Sequence, residues 1–121
     1  MDHLALAVRD PERSARFYAE YFGFDHGRRW YDDGRVLFVY DERDFALALG
    51  PWNDPVELPA FLHFGKGLPS PDAVRAMRER LASHGVEVVE WWVEPEYVSV
   101  KCRDPDGYVV EVAWEPSEVR P

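Results

Sequence analysis

Glu111 is a lone acid in an apolar run. It stands in the stretch Asp104-Pro105-Asp106-Gly107-Tyr108-Val109-Val110-Glu111-Val112-Ala113-Trp114. Asp-Pro-Asp-Gly is a tight-turn signature, because Pro presets φ and Gly tolerates the positive φ that ends such turns. The Tyr-, Val- and Trp-rich segment after it reads as a β-strand. Alternation puts Tyr108, Val110, Val112 and Trp114 on one face and Val109, Glu111 and Ala113 on the other. An unpaired buried carboxylate costs several kcal/mol or is neutralised, so Glu111 needs a partner. A salt bridge, a wet second face on an edge strand, or a metal ion would each answer. His3 and His63, each in a strand-like segment, are the residues that complete the third possibility. Two imidazoles and one carboxylate with open positions form a facial triad suited to Fe(II), Mn(II), Ni(II) or Zn(II), provided rigid elements aim all three at one point.

The elements that must do the aiming follow from pattern. From His3 to Val8 the chain alternates, with Leu4, Leu6 and Val8 on one face and His3, Ala5 and Ala7 on the other. Asp10 as N-cap and Pro11 at the first helical position start a helix. Ala15, Tyr18, Ala19 and Phe22 give its apolar stripe, and Gly23 its stop. Strands are expected at 24–31, at Arg35–Tyr40 after an Asp32-Asp33-Gly34 hairpin turn, and at Phe45–Leu49. Residues 51–59, rich in Pro, Asn and Asp, read as a linker. The pattern then restarts. Ala60–Gly65 reads as a strand that breaks off at Lys66-Gly67, and Ser70-Pro71-Asp72 as a helix start. Val74, Met77 and Leu81 form a stripe ending at Gly85. Strands are expected at Val86–Val93, Tyr97–Arg103 and in the stretch around Glu111.

The chain thus reads as a single domain, 1–121, of two βαβββ modules at 1–50 and 60–116. The two histidines and the two helix-start prolines are each offset by 60, and the turn aspartates Asp41 and Asp104 by 63. Self-similarity at a near-fixed period implies two equivalent modules. If each helix covers one face of its sheet, Leu4, Leu6 and Val8, with Leu62 and Phe64, face the helices. His3, Ala5 and Ala7, with Phe61, His63 and Gly65, then face a shared hollow. The last strand adds Val109, Glu111 and Ala113 to it. The expected fold class is α+β, an open eight-stranded cup.

Three segments carry a resemblance to a known family: Asp2-His3-Leu4-Ala5-Leu6-Ala7-Val8 with the Asp10-Pro11 helix, His63-Phe64-Gly65, and Asp104 to Glu111. The chain resembles the vicinal oxygen chelate superfamily, which includes glyoxalase I, extradiol dioxygenases, fosfomycin-resistance enzymes, methylmalonyl-CoA epimerase and bleomycin-resistance proteins. The resemblance spans essentially the whole chain. It implies a divalent metal held by His3, His63 and Glu111, with Glu111 also the catalytic carboxylate. It implies a metal that chelates two neighbouring oxygens of a small substrate as a Lewis acid. The implied activity is that of a lyase, isomerase, transferase or dioxygenase. The alternative is a non-catalytic binder of an antibiotic or metabolite, of the bleomycin-resistance type. Glyoxalase I carries a further acid at the first-module place equivalent to Glu111, and that place is Ala48 here. Phe61 is the alternative occupant of the second-module ligand place.

Composition bounds the partners. A net charge of −9 and a pI of about 4.8 argue against nucleic acid and anionic membrane surfaces. No stretch approaches the roughly 20 apolar residues of a membrane span. No signal peptide is recognised at the N-terminus, and Cys102, the single cysteine, reads as a packed thiol. A cytoplasmic protein is expected. The aromatic content of 15% and the family's habit of pairing modules across chains imply a homodimer. Trp30, Trp52, Trp91 and Trp92 read as core or interface rather than as a binding cavity. His26 and His84 read as surface residues. Ser99, Lys101 and Arg103 share one strand face, read as solvated unless it is the hollow.

Overall fold

The computed structural model describes residues 1–117. Its fold is α+β, two four-stranded mixed sheets each carrying one helix. The element order is β1 (His3–Val8), α1 (Pro11–Phe22), β2 (Trp30–Asp32), β3 (Val36–Tyr40), β4 (Ala46–Pro51), β5 (His63–Gly67), α2 (Pro71–Ser83), β6 (Val88–Glu94), β7 (Tyr97–Arg103) and β8 (Val109–Trp114). The chain divides into two compact units, one spanning Met1–Glu57 and one beginning at Leu58.

In the first unit the strand order is β1-β4-β3-β2, with β1 parallel to β4. Asp10 caps α1 as expected, its carboxylate accepting from the backbone N–H of Glu12 and Arg13. Tyr18 and Phe22 of the helix are buried with Leu6, Val8, Leu37, Val39, Leu47 and Leu49 of the sheet. Each such apolar side chain contributes roughly 1.5–3 kcal/mol on burial. The Asp33-Gly34 turn has φ of 52° and 66°. Two positive φ values make the tight hairpin turn whose twist matches the strands it joins. The strand expected over 24–31 is confined to β2. Gly27 takes φ 64°, which no extended strand adopts, and His26 N–H donates to the Tyr40 carbonyl from outside the ladder.

In the second unit the order is β5-β8-β7-β6. Ser70 caps α2, as its sequence indicates. Val74 and Leu81 are buried with Val98, Val100, Cys102, Val110 and Val112. Strand β5 departs from expectation at both ends. It begins at His63, because Leu62 N–H donates to the Pro59 carbonyl and closes a turn over 59–62. Leu62 is therefore half exposed, and Phe61 is 85% exposed with its ring edge-on to that of His63, centroids 5.3 Å apart, so neither is a residue of β5. At its far end β5 runs through Lys66 and Gly67, paired with Val112 and Ala113. Backbone pairing carries it where the side-chain pattern fades.

The repeat holds at the level of atoms. Asp41 accepts from the N–H groups of Arg43 and Phe45, and Asp104 from those of Asp106 and Tyr108. Both are buried. Each corner is therefore a carboxylate that satisfies otherwise orphaned N–H groups.

Candidate metal centre

Strand β8 presents Glu111 on the face away from α2, since Val110 and Val112 are buried and Glu111 is not. Gly65 lies directly across from it on β5. A Cβ at Gly65 would sit 2.4 Å from the Glu111 carbonyl oxygen and 2.9 Å from its Cβ. Only glycine lets the two strands approach this closely beside the carboxylate.

The Glu111 side chain is only 15% exposed. Its Oε2 accepts from the Tyr97 hydroxyl (2.5 Å) and from the Ser99 hydroxyl. Its Oε1 lies 3.6 Å from His63 Nε2. Among the described residues no Lys or Arg nitrogen pairs with it. Lys101, its cross-strand neighbour, pairs with Glu90 at 3.0 Å instead. The salt bridge to Lys or Arg allowed by the sequence is therefore not what holds this acid.

The His63 ring is oriented from the other side. Nδ1 is 2.8 Å from the Phe61 carbonyl oxygen. A carbonyl only accepts, so Nδ1 carries the proton, and in the neutral ring Nε2 presents a lone pair. That lone pair faces a carboxylate oxygen. Two acceptors in this position call for a cation between or beside them, either a proton on Nε2 or a metal ion. A histidine tethered through Nδ1 and a carboxylate held through one oxygen are the arrangement by which outer partners fix metal ligands. The donor set thus fits a divalent metal. Phe61 supplies the tether and stands outside β5, so His63, not Phe61, is the strand residue beside Glu111.

His3 belongs to the first unit. Its Nδ1 lies 2.7 Å from Asp2 Oδ1, and the bond to His3 holds the Asp2 carboxyl below its ordinary range. The side chain is 65% exposed, beside Ala5, Ala46 and Ala48 in an open hollow. His63 and Glu111 are brought together, and His3 stands as a separately tethered imidazole. Within either unit, among the described residues, no three His, Cys, Asp or Glu side chains gather. His26 and His84 are exposed, as expected.

Tyr97 and Ser99 are partners of Glu111 that the sequence reading did not assign. Ser99 is fully buried, and the β7–β8 register places Ser99 and Lys101 on the Glu111 face, which is not the solvated face expected. Counting outward from the Asp104–Tyr108 corner pairs Lys101 with Glu111, so that signal lay in the sequence. Burial, and then the bond to Glu111, pushes the Tyr97 phenol up to about 12. Cys102, buried on the opposite face, is likewise pushed up to about 12 by burial, which makes it a packed thiol and not a nucleophile.

The family profile described as Glyoxalase/Bleomycin resistance protein/Dioxygenase superfamily matches residues 1–112. The chain belongs to this superfamily. No curated protein matches it. Solved structures share the fold across nearly their whole length. One is the genomically encoded fosfomycin resistance protein FosX of Listeria monocytogenes, 20% identical, with a TM-score of 0.80 over 100% of this chain and 97% of that one. FosX has also been solved with Mn(II) and sulfate. A possible glyoxalase from Bacillus cereus is 25% identical, with a TM-score of 0.75 over 93% and 96%. Lactoylglutathione lyase from Agrobacterium tumefaciens is 22% identical, with a TM-score of 0.71 over 93% and 91%.

Proposed function

We propose that the chain is a divalent-metal-dependent enzyme acting on a small substrate through two neighbouring oxygens. The observation that carries this is the facing pair, His63 Nε2 and Glu111 Oε1, with no Lys or Arg nitrogen paired with Glu111 among the described residues, Lys101 being turned to Glu90. Glu111 would ligate through Oε1, because Oε2 is taken by Tyr97 and Ser99. His63 would ligate through Nε2, and His3 through its own Nε2, Asp2 holding the other nitrogen. When bound, the ion would polarise a substrate oxygen as a Lewis acid. We place His3 and the His63–Glu111 pair in one site, completed within the chain or between two copies in a homodimer. Among the ions, Fe(II), Mn(II), Ni(II) and Zn(II) suit a two-histidine, one-carboxylate set, and FosX provides a precedent for Mn(II).

Ala48 narrows the chemistry. It pairs with Ala5 as Glu111 pairs with Gly65, so the first unit has no acid at the equivalent place. Proton abstraction by a second protein carboxylate, as glyoxalase I requires, is not provided for. That absence argues against the glyoxalase I reaction itself and leaves the superfamily's other lyase, isomerase, transferase and dioxygenase steps. It is also the observation behind a second reading, a protein that binds a metabolite or antibiotic without chemistry. No helix of the described residues is long and apolar enough to cross a membrane, and the free thiol is buried. A cytoplasmic protein fits both readings.

The test is titration of chelator-stripped protein with Mn(II), Ni(II), Zn(II) and, without oxygen, Fe(II). Wild type should bind one ion per site. His63→Ala and His3→Ala should each weaken binding by more than the roughly 10–100-fold that loss of an outer partner costs. A wild type that binds none of these ions transfers the protein to the second reading.

A further inference from the structure

The first unit carries groups that the metal reading does not use. Its His3-bearing sheet face is the counterpart of the Glu111-bearing face. His3 pairs with Ala46 and Ala5 with Ala48, as His63 pairs with Val109 and Gly65 with Glu111. The chemistry differs. Where the second sheet sets Lys101 opposite Glu111 and Arg103 opposite Val109, the first sets Phe38 opposite Ala48 and Tyr40 opposite Ala46. Ions give way to rings over alanines. These residues and His3 line an open hollow of about 500 Å³, a size that suits a small ligand. Trp30 stacks on Phe38, centroids 4.5 Å apart and planes 7° apart.

A second hollow adjoins the first at Tyr40 and Asp44 and is lined by Arg28. The Arg28 guanidinium lies over the rings of Tyr40 (5.3 Å) and Trp30 (5.9 Å). It pairs with no carboxylate among the described residues, in a chain whose acids outnumber its Lys and Arg by 23 to 14. The Tyr40 hydroxyl accepts from Trp30 Nε1 at 2.7 Å and from Arg28 Nη2 at 3.5 Å. With both lone pairs engaged, its own proton is left to donate.

We propose that this face binds a planar aromatic molecule bearing an anionic group. The ring lies against Phe38 and Tyr40, and the anion is taken by Arg28 and the Tyr40 O–H. Offset or edgewise ring contact favours an arene over a saturated ring of the same size, and a planar guanidinium with a hydroxyl beside it favours a carboxylate. Asp2 and Asp44 also line the first hollow, so the anion belongs at the Arg28 end. That the occupant is the substrate rests on the proposed metal site, whereas its binding does not.

The test is titration of chelator-treated protein with benzoate, benzyl alcohol and cyclohexanecarboxylate, followed by calorimetry. Benzoate should bind more tightly than either by about five- to tenfold. Arg28→Gln should abolish its advantage over benzyl alcohol while leaving benzyl alcohol binding in place. Phe38→Leu should abolish its advantage over cyclohexanecarboxylate. Absence of saturable benzoate binding, equal binding of the three probes, or an Arg28→Gln protein that keeps the preference overturns the proposal. Chelator is present throughout, so failure of the metal site leaves these results unchanged, and failure here leaves the metal titration intact.

Discussion

Ser99 and Tyr97 determine what Glu111 can do. A carboxylate with both oxygens free would rotate and offer either one. Here two hydroxyls claim Oε2 and leave Oε1 toward His63. Ser99→Ala removes a buried donor to a charged acceptor and should cost about 1–2 kcal/mol of stability. It should also weaken metal binding about tenfold or more, as loss of an outer partner does; melting and metal titration check the two effects. Tyr97 adds a pH dependence whose sign follows from its shift. The phenol sits at 10.0 in the unfolded chain and about 12 in the folded one. The folded state therefore holds this proton longer. The stabilisation is complete below 10 and is lost as pH rises through about 12. Tyr97→Phe should flatten the fall of melting temperature across that window, and an unchanged slope would count against the shift.

At the scale of elements, the close pairing of β5 with β8 aims the site. Gly65→Ala would drive a methyl group against the Glu111 backbone and force the strands apart. It should cost about 1–3 kcal/mol and displace Glu111 from His63, so metal affinity should fall with melting temperature. A variant that melts like wild type would mean the strand shifts without cost. Most of these elements are legible from residue types alone. Asp10-Pro11 and Ser70-Pro71 mark both helix starts, since a capping oxygen and a fixed φ act locally. The Glu111 face follows from alternation in a strand bounded by a tight corner. What escapes the sequence depends on partners distant along the chain. Phe61 and Leu62 continue an apolar pattern, but the bond from Leu62 N–H to the Pro59 carbonyl makes them a turn. Residues 24–29 look extended until Gly27 takes a left-handed conformation. Ser99 reads as ordinary until the β7–β8 register sets it on the carboxylate's face.

The whole molecule is a duplicated unit whose halves have diverged in chemistry. The corners at Asp41 and Asp104 keep the same hydrogen bonds, while Phe38 and Tyr40 in one unit stand where the other has Lys101 and Arg103. Each sheet leaves edge strands, and Trp30, Trp52, Trp92 and Val93 remain substantially exposed. Such edges and apolar groups are usually covered. The proposed homodimer should therefore give a dimeric mass by light scattering at micromolar concentration, and a monomeric mass would contradict it. The central claim, a metal ion held by Glu111, has a more direct test in the melting of wild type and Glu111→Gln, each with chelator and with Mn(II), Ni(II) or Zn(II). An ion that binds only the folded state raises the melting temperature by mass action. The substituted amide keeps an acceptor for Tyr97 and Ser99 and can donate toward His63 Nε2. With chelator, the variant should therefore match wild type or exceed it by about 1 kcal/mol. The account predicts that at least one of these ions raises the melting temperature of wild type and that none raises that of Glu111→Gln. A variant destabilised with chelator, together with no metal effect on either protein, would mean that a proton on His63 fills the gap and that Glu111 holds no metal.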